Sequence, residues 1–210
     1  MELTFLLTAF VTLFVIIDPI GLTPIFAVLT QGASAAQRRV IALRACVLSV
    51  LLLTLFGLLG EGLLGFIGIS MPAFRIAGGL LLFLTALDML FERRTRRREG
   101  HLDAEDDPSV FPLAMPLIAG PGAMASMILL TGESQSGWIG ILSVHLVMLA
   151  VMIMVFVLFL SAGLLERALR RTGTLVITRL LGMLLAALSV QFVIDGVRQV
   201  LPMAATGGAA

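Results

Sequence analysis

Six long apolar runs divide the chain, at about 4–29, 40–60, 67–91, 111–131, 138–162 and 175–200, with short polar segments between them. A helix needs about 20 mostly apolar residues to cross a bilayer, so each run is long enough. The pattern predicts an all-α membrane protein of six transmembrane helices. The mean hydropathy of +1.09, with 59% hydrophobic and 13% charged residues, agrees: a soluble domain of this composition would be coated in exposed apolar surface.

Charge then gives the runs a direction. All fourteen basic residues are arginine. Arg38, Arg39 and Arg44 follow the first run, Arg93, Arg94, Arg96, Arg97 and Arg98 the third, and Arg167, Arg170 and Arg171 the fifth. The alternate loops, around Glu61 and Glu133, hold neither Lys nor Arg. By the positive-inside rule the arginine-bearing loops are cytoplasmic, which places both termini outside a bacterial-type inner membrane. Trp138, at the start of the fifth run, fits an interfacial anchor. The N-terminal stretch MELTFLLTAF carries an acid where a signal peptide carries base, and reads as a retained first helix. The basic and acidic halves of the segment 92–110 read as a cytoplasmic linker, its arginines a topology signal rather than a nucleic-acid site.

The segments on either side of that linker, 1–91 and 111–210, resemble each other. The first run is interrupted by Asp18-Pro19-Ile20-Gly21-Leu22-Thr23-Pro24, and the fourth by Met115-Pro116-Leu117-Ile118-Ala119-Gly120-Pro121-Gly122. The third opens with Phe74-Arg75-Ile76-Ala77-Gly78 and the sixth with Thr178-Arg179-Leu180-Leu181-Gly182. Because each half contains three spans, the second half enters from the opposite side. The expectation is a 3+3 inverted-topology repeat whose first and fourth helices are broken.

Two prolines close together inside a span remove backbone donors and break the helix. Freed backbone groups are tolerated in a membrane only against protein or a polar cavity, so paired breaks point to a transport site. The candidate substrate contacts are Asp18, Pro19, Gly21, Leu22, Thr23 and Pro24 in the first half, with Ala119, Gly120, Pro121 and Gly122 in the second. Half-helix N-termini suit a carboxylate, and unwound carbonyls suit a cation or ammonium group. Asp18 has two readings: a ligand for a substrate ammonium or coupling proton, or the N-cap of a half-helix starting at Pro19. In the aligned motifs Met115 stands at its position. Arg75 and Arg179 either neutralise a carboxylate or charge-pair with an aspartate, or else snorkel to the nearer interface. Gln191, Ser189 and Thr85 are candidates for interhelical hydrogen bonds, and His145 reads as packed or interfacial. Cys46 has no partner cysteine. No nucleotide-binding loop, zinc motif or nucleophile elbow occurs, so neither enzyme activity nor a metal or cofactor is implied.

The segments DPIGLTPIF, ISMPAFRIAGGLLLFLTALDMLF, FPLAMPLIAGPGAMAS and ITRLLGMLLAALSVQFVIDGVR together resemble the MarC family, also called the neutral amino acid transporter family. The resemblance spans nearly everything outside the linker. It implies a six-helix inner-membrane protein that moves small neutral amino acids of the glycine, alanine and serine type, driven by a proton or sodium gradient. The alternatives are an exporter of another small solute and a non-transporting regulatory or scaffold component. Monomer and homo-oligomer are equally open.

Overall fold

The computed structural model describes residues 3–91, 107–132 and 137–206, all of them helices and short connections. The arginine cluster Arg93–Arg98 and the loop at Glu133 lie outside these residues. In chain order the elements are α1 (Leu3–Ile17), α2 (Pro19–Leu29), α3 (Ala35–Ile67), α4 (Met71–Leu90), an irregular α5 (Ser109–Ile118), α6 (Pro121–Gly132), α7 (Gly137–Leu160) and α8 (Ala162–Thr206). Among the described residues five spans are long and apolar enough to cross a membrane, α1 and α2 together forming one of them. They number six when α5 and α6, bent by 54° at their junction, count as one more.

Local chemistry sets the boundaries. Ser34 opens α3 with a reciprocal cap, its hydroxyl accepting from the Gln37 N–H while the Gln37 side chain accepts from the Ser34 N–H. Gly68, at φ 81°, closes α3 in a left-handed conformation that costs glycine little. Ser70 then caps α4, and Pro72 in its first turn lacks an N–H that the helix would leave unused there. The third span therefore starts at Met71 rather than near 67, and α3 extends the second span at both ends. The fifth and sixth spans are joined by helix instead of the expected polar loop: α8 begins at Ala162, one residue past α7.

α6 is buried on nearly every side from Gly122 to Thr131, which is the behaviour of a helix apolar all round. α3 packs on it, on α7 and on α5; α1 packs on α6, α7 and α8; α2 packs on α7 and α8. Phe26 of α2 stacks on Phe159 of α7, with centroids 4.3 Å apart. The outer faces of the bundle expose large apolar side chains such as Leu51, Leu55, Leu84, Leu142 and Ile153, as lipid contact requires.

α4 and α8 form the most extensive helix pair, running antiparallel. Glycine lets the backbones touch. A Cβ at Gly79 would fall 2.8 Å from the Ser189 carbonyl oxygen, and one at Gly196 would fall 3.0 Å from that of Pro72. Gly79→Ala is expected to force the pair apart and destabilise the protein by about 1–3 kcal/mol. Gly65→Ala, with nothing within 4 Å of the added carbon, is expected to leave the thermal midpoint in detergent unchanged or slightly raised.

One ion pair ties the start of α3 to the segment leading into α5. Arg44 Nη1 lies 3.3 Å from Asp107 Oδ2, and Asp107 Oδ1 accepts from the Ser109 hydroxyl at 2.7 Å and the Ser109 N–H at 3.0 Å. The Ser109 hydrogen bonds first, and Arg44 second, hold the Asp107 carboxyl below its ordinary 3.8. A depressed carboxylate stabilises the fold above its unfolded-state value and loses that contribution as pH falls through the folded one. Asp107→Asn should therefore match the parent at the most acidic pH the fold survives and be slightly less stable at pH 7. The gap should be small, because the pair is solvent-exposed.

Candidate functional site

The sequence of the first break dictates an unusually short one. Asp18 alone leaves the helical region, at φ 53° and ψ 61°, a left-handed conformation that aspartate tolerates better than most residues. Helical bonds bracket it, Asp18 N–H to Phe14 O at 3.0 Å and Leu22 N–H to Asp18 O at 2.9 Å. Its Oδ1 accepts from the Gly21 N–H at 3.0 Å, so Asp18 is the N-cap of α2 with Pro19 in the first position. Asp18 is 1% exposed. Gly21 is required there: an added Cβ would collide with the Asp18 carboxylate.

The second break is wider. Pro112 and Pro116 drive the residues before them, Phe111 (φ −124°, ψ 127°) and Met115 (φ −131°, ψ 124°), out of the helical region. α5 is consequently two short turns rather than one helix. The chain then turns at Ala119, whose N–H donates to Ala114 O at 2.9 Å, and at Gly120, whose carbonyl accepts from the Met124 N–H at 3.0 Å as α6 begins at Pro121.

These boundaries shift the expected correspondence between the halves. Pro19 and Pro121 start the two half-helices, while Pro24 stays inside α2 and Pro116 lies in the irregular segment. The residue in Asp18's position is thus Gly120, not Met115. Leu22 and Thr23 are helical and buried, so the unwound backbone expected at Gly21–Thr23 is confined to Asp18. The Thr23 hydroxyl donates to Pro19 O at 2.8 Å. In the second half Ala119 is buried and unwound, while Gly122 lies in the first turn of α6.

The fold brings the two breaks together. A Cβ at Gly122, in the first turn of α6, would lie 3.7 Å from Cγ2 of Ile16 at the end of α1. It would lie 3.2 Å from Leu82 Cδ2 and 3.6 Å from Thr85 Oγ1, both on α4. Sequence reasoning missed Ile16 and Leu82 and read Thr85 as an interhelical hydrogen-bond candidate, whereas its hydroxyl donates to Leu81 O of its own helix at 3.0 Å; no local motif marks a residue that matters because another helix stops beside it. Arg75 and Arg179, equivalent in the sequence pattern, diverge: Arg75 is 7% exposed inside the bundle, whereas Arg179 is exposed. His145 stands in α7 with Nδ1 2.7 Å from Ile141 O, its ring against Gly57 of α3. Ser189 bonds within its own helix, to Ala186 O at 2.7 Å.

A profile described as MarC family integral membrane protein matches residues 3–201. The chain is 35% identical over 205 residues to a UPF0056 membrane protein of Methanocaldococcus jannaschii, covering 94% of this chain and 98% of that one. It is 33% identical over 210 residues to the UPF0056 membrane protein YvbG of Bacillus subtilis, covering 97% and 99%. It is 32% identical over 197 residues to the UPF0056 inner membrane protein YhgN of Escherichia coli, covering 92% and 96%. No solved structure matches.

Proposed function

We propose that this chain, which belongs to the MarC family of integral membrane proteins, is a secondary transporter of small neutral amino acids driven by a proton or sodium gradient. The observation that carries the reading is the nearness of the two breaks: Ile16, two residues before the break at Asp18, lies beside the Gly122 position in the first turn of α6, and a buried acid caps α2. A helix N-terminus favours negative charge. α2 carries its own carboxylate, Asp18, while Gly120 offers α6 no side-chain acceptor. One negative charge and one open positive pole suit a zwitterion, the ammonium at Asp18 and the carboxylate at the first turn of α6. Leu82, Thr85 and Ile16 crowd the Gly122 position, which favours a small side chain on the substrate.

The proposed architecture is a pair of inverted halves, 1–91 and 111–210, rocking around this point, with both termini outside an inner membrane. The packing supports it, since exchanging the halves maps most contacts onto one another: α3 on α6 answers α7 on α2, α3 on α5 answers α7 on α1, and α4 on α6 answers α8 on α2. The name of the Escherichia coli relative supports the membrane assignment. Arg75 and Arg179 belong to opposite halves and would act at opposite sides of the site.

The test is uptake and counterflow of radiolabelled alanine, glycine and serine in liposomes containing only this protein, under imposed proton or sodium gradients. Saturable flux enhanced by one gradient is the expected result and names the coupling ion. Verified insertion without flux of any of the three would overturn the substrate class, and absence of counterflow for a broad panel of small solutes would favour a regulatory component.

A further inference from the structure

Gln191 and Asp195 lie on the outside of the bundle, in a place where hydrocarbon is expected. The membrane span of α8 runs from Leu175 to Val200, 26 residues. At 1.5 Å per residue Gln191 stands about 5 Å, and Asp195 about 11 Å, from its middle, so both fall within a hydrocarbon layer about 30 Å thick. Gln191 is exposed and donates through Nε2 to Asp195 Oδ1 at 2.9 Å; Arg198 Nη1 lies 4.0 Å from the same oxygen. Among the described residues Gln191 bonds to no other helix. The surrounding face is not a polar cleft, because Leu180, Met183, Leu184, Val190, Ile194 and Val197 are exposed along it. The outer face of α4 exposes Leu80, Leu81, Phe83 and Leu84, with half-buried Asp88 one turn beyond Leu84.

Polar side chains on lipid-facing helices act as association sites, because another helix can supply the hydrogen bonds that lipid cannot. We infer that the outer face of α8 around Ala187, Gln191 and Asp195 is the interface at which a second copy of this chain docks. A second copy inserted in the same orientation presents the same groups at the same depth, and a two-fold axis along the membrane normal brings each Gln191 amide against its mate. The amide is self-complementary, donating through nitrogen and accepting through oxygen, so the two can bond reciprocally. Exposed Ala187, about one turn from Gln191 on the same face, permits the close backbone approach such a bond requires.

The test uses Ala187→Cys in a Cys46→Ala background, which removes the chain's single native cysteine. Ile153→Cys on the exposed face of α7 serves as the control. Oxidation in native membranes should yield a disulfide-linked homodimer for Ala187→Cys and little for Ile153→Cys. In liposomes of increasing lipid content, energy transfer between labelled copies should show Gln191→Leu associating about three- to tenfold more weakly than the parent. The proposal is overturned by equal cross-linking at the two positions, or by no homodimer from an inserted Ala187→Cys protein. It is equally overturned by an Ala187→Cys adduct with a different chain, by rapid labelling of that cysteine with a membrane-impermeant maleimide, which would make the face a water-filled one, or by undiminished association of Gln191→Leu.

Discussion

Asp18→Asn is expected to lower the rate of amino-acid uptake at least about 100-fold while leaving the thermal midpoint within a few degrees of the parent. Asparagine tolerates the left-handed backbone that Asp18 adopts, and its side-chain oxygen can still accept the Gly21 N–H, so the cap survives while the charge is lost. If that charge holds the substrate ammonium in a buried site, removing it leaves a cation without its partner, a loss of about 3 kcal/mol or roughly 100-fold. Asp18→Gly keeps the backbone but drops the cap side chain, a cost of a few tenths of a kcal/mol. Asp18→Ala adds left-handed strain of about 1–2 kcal/mol. Stability should fall in the order Asn, Gly, Ala, while transport should be lost in all three alike. Uptake that instead follows stability, with Asn near wild type, would reduce Asp18 to a cap and remove it from the substrate site. Gly21→Ala is an independent check, since the added carbon displaces the carboxylate without removing it.

The membrane spans were legible because length and apolarity are sufficient signals for a helix in lipid, whatever it packs against. Their ends were less so, although Ser34 followed by Gln37, and Ser70 followed by Pro72, are capping signals visible in the chain. The breaks were legible as Pro–Gly clusters, but not which proline makes the break. That depends on the residue in front. Asp18 and Gly120 can leave the helical region cheaply, so the half-helices start at Pro19 and Pro121. Thr23 remains helical before Pro24, its hydroxyl bonded to the Pro19 carbonyl one turn back, and α2 runs through the proline unbroken. The fates of Arg75 and Arg179 could not be read at all, because the same local pattern is buried in one half and exposed in the other by packing between distant segments. Gln191 likewise looked like glue between helices of one chain until the fold turned it outward.

Gly120→Ala should be as damaging to transport as loss of the Asp18 charge, by a different route and with a measurable loss of stability. A Cβ on Gly120 would sit 2.6 Å from the carbonyl oxygen of Pro116. That atom is backbone, fixed by two prolines and by the Ala119 N–H bond to Ala114 O across the same turn, so it cannot swing aside as the tip of a side chain could. The added carbon must open the 54° junction of α5 and α6 and move the first turn of α6 away from Ile16 and Thr85. Overpacking of this kind costs about 1–3 kcal/mol. A displacement of about 1 Å at a site that works by position is enough for a roughly 100-fold loss of rate. Gly132 at the opposite end of α6 supplies the contrast: its added carbon would meet only the end of the Met71 side chain, the methyl at 2.8 Å and the sulfur at 3.6 Å, which can rotate away. Gly132→Ala should therefore insert, unfold near the wild-type temperature and transport normally. Wild-type flux in Gly120→Ala would show that the second break is a structural kink and that the substrate does not depend on the start of α6.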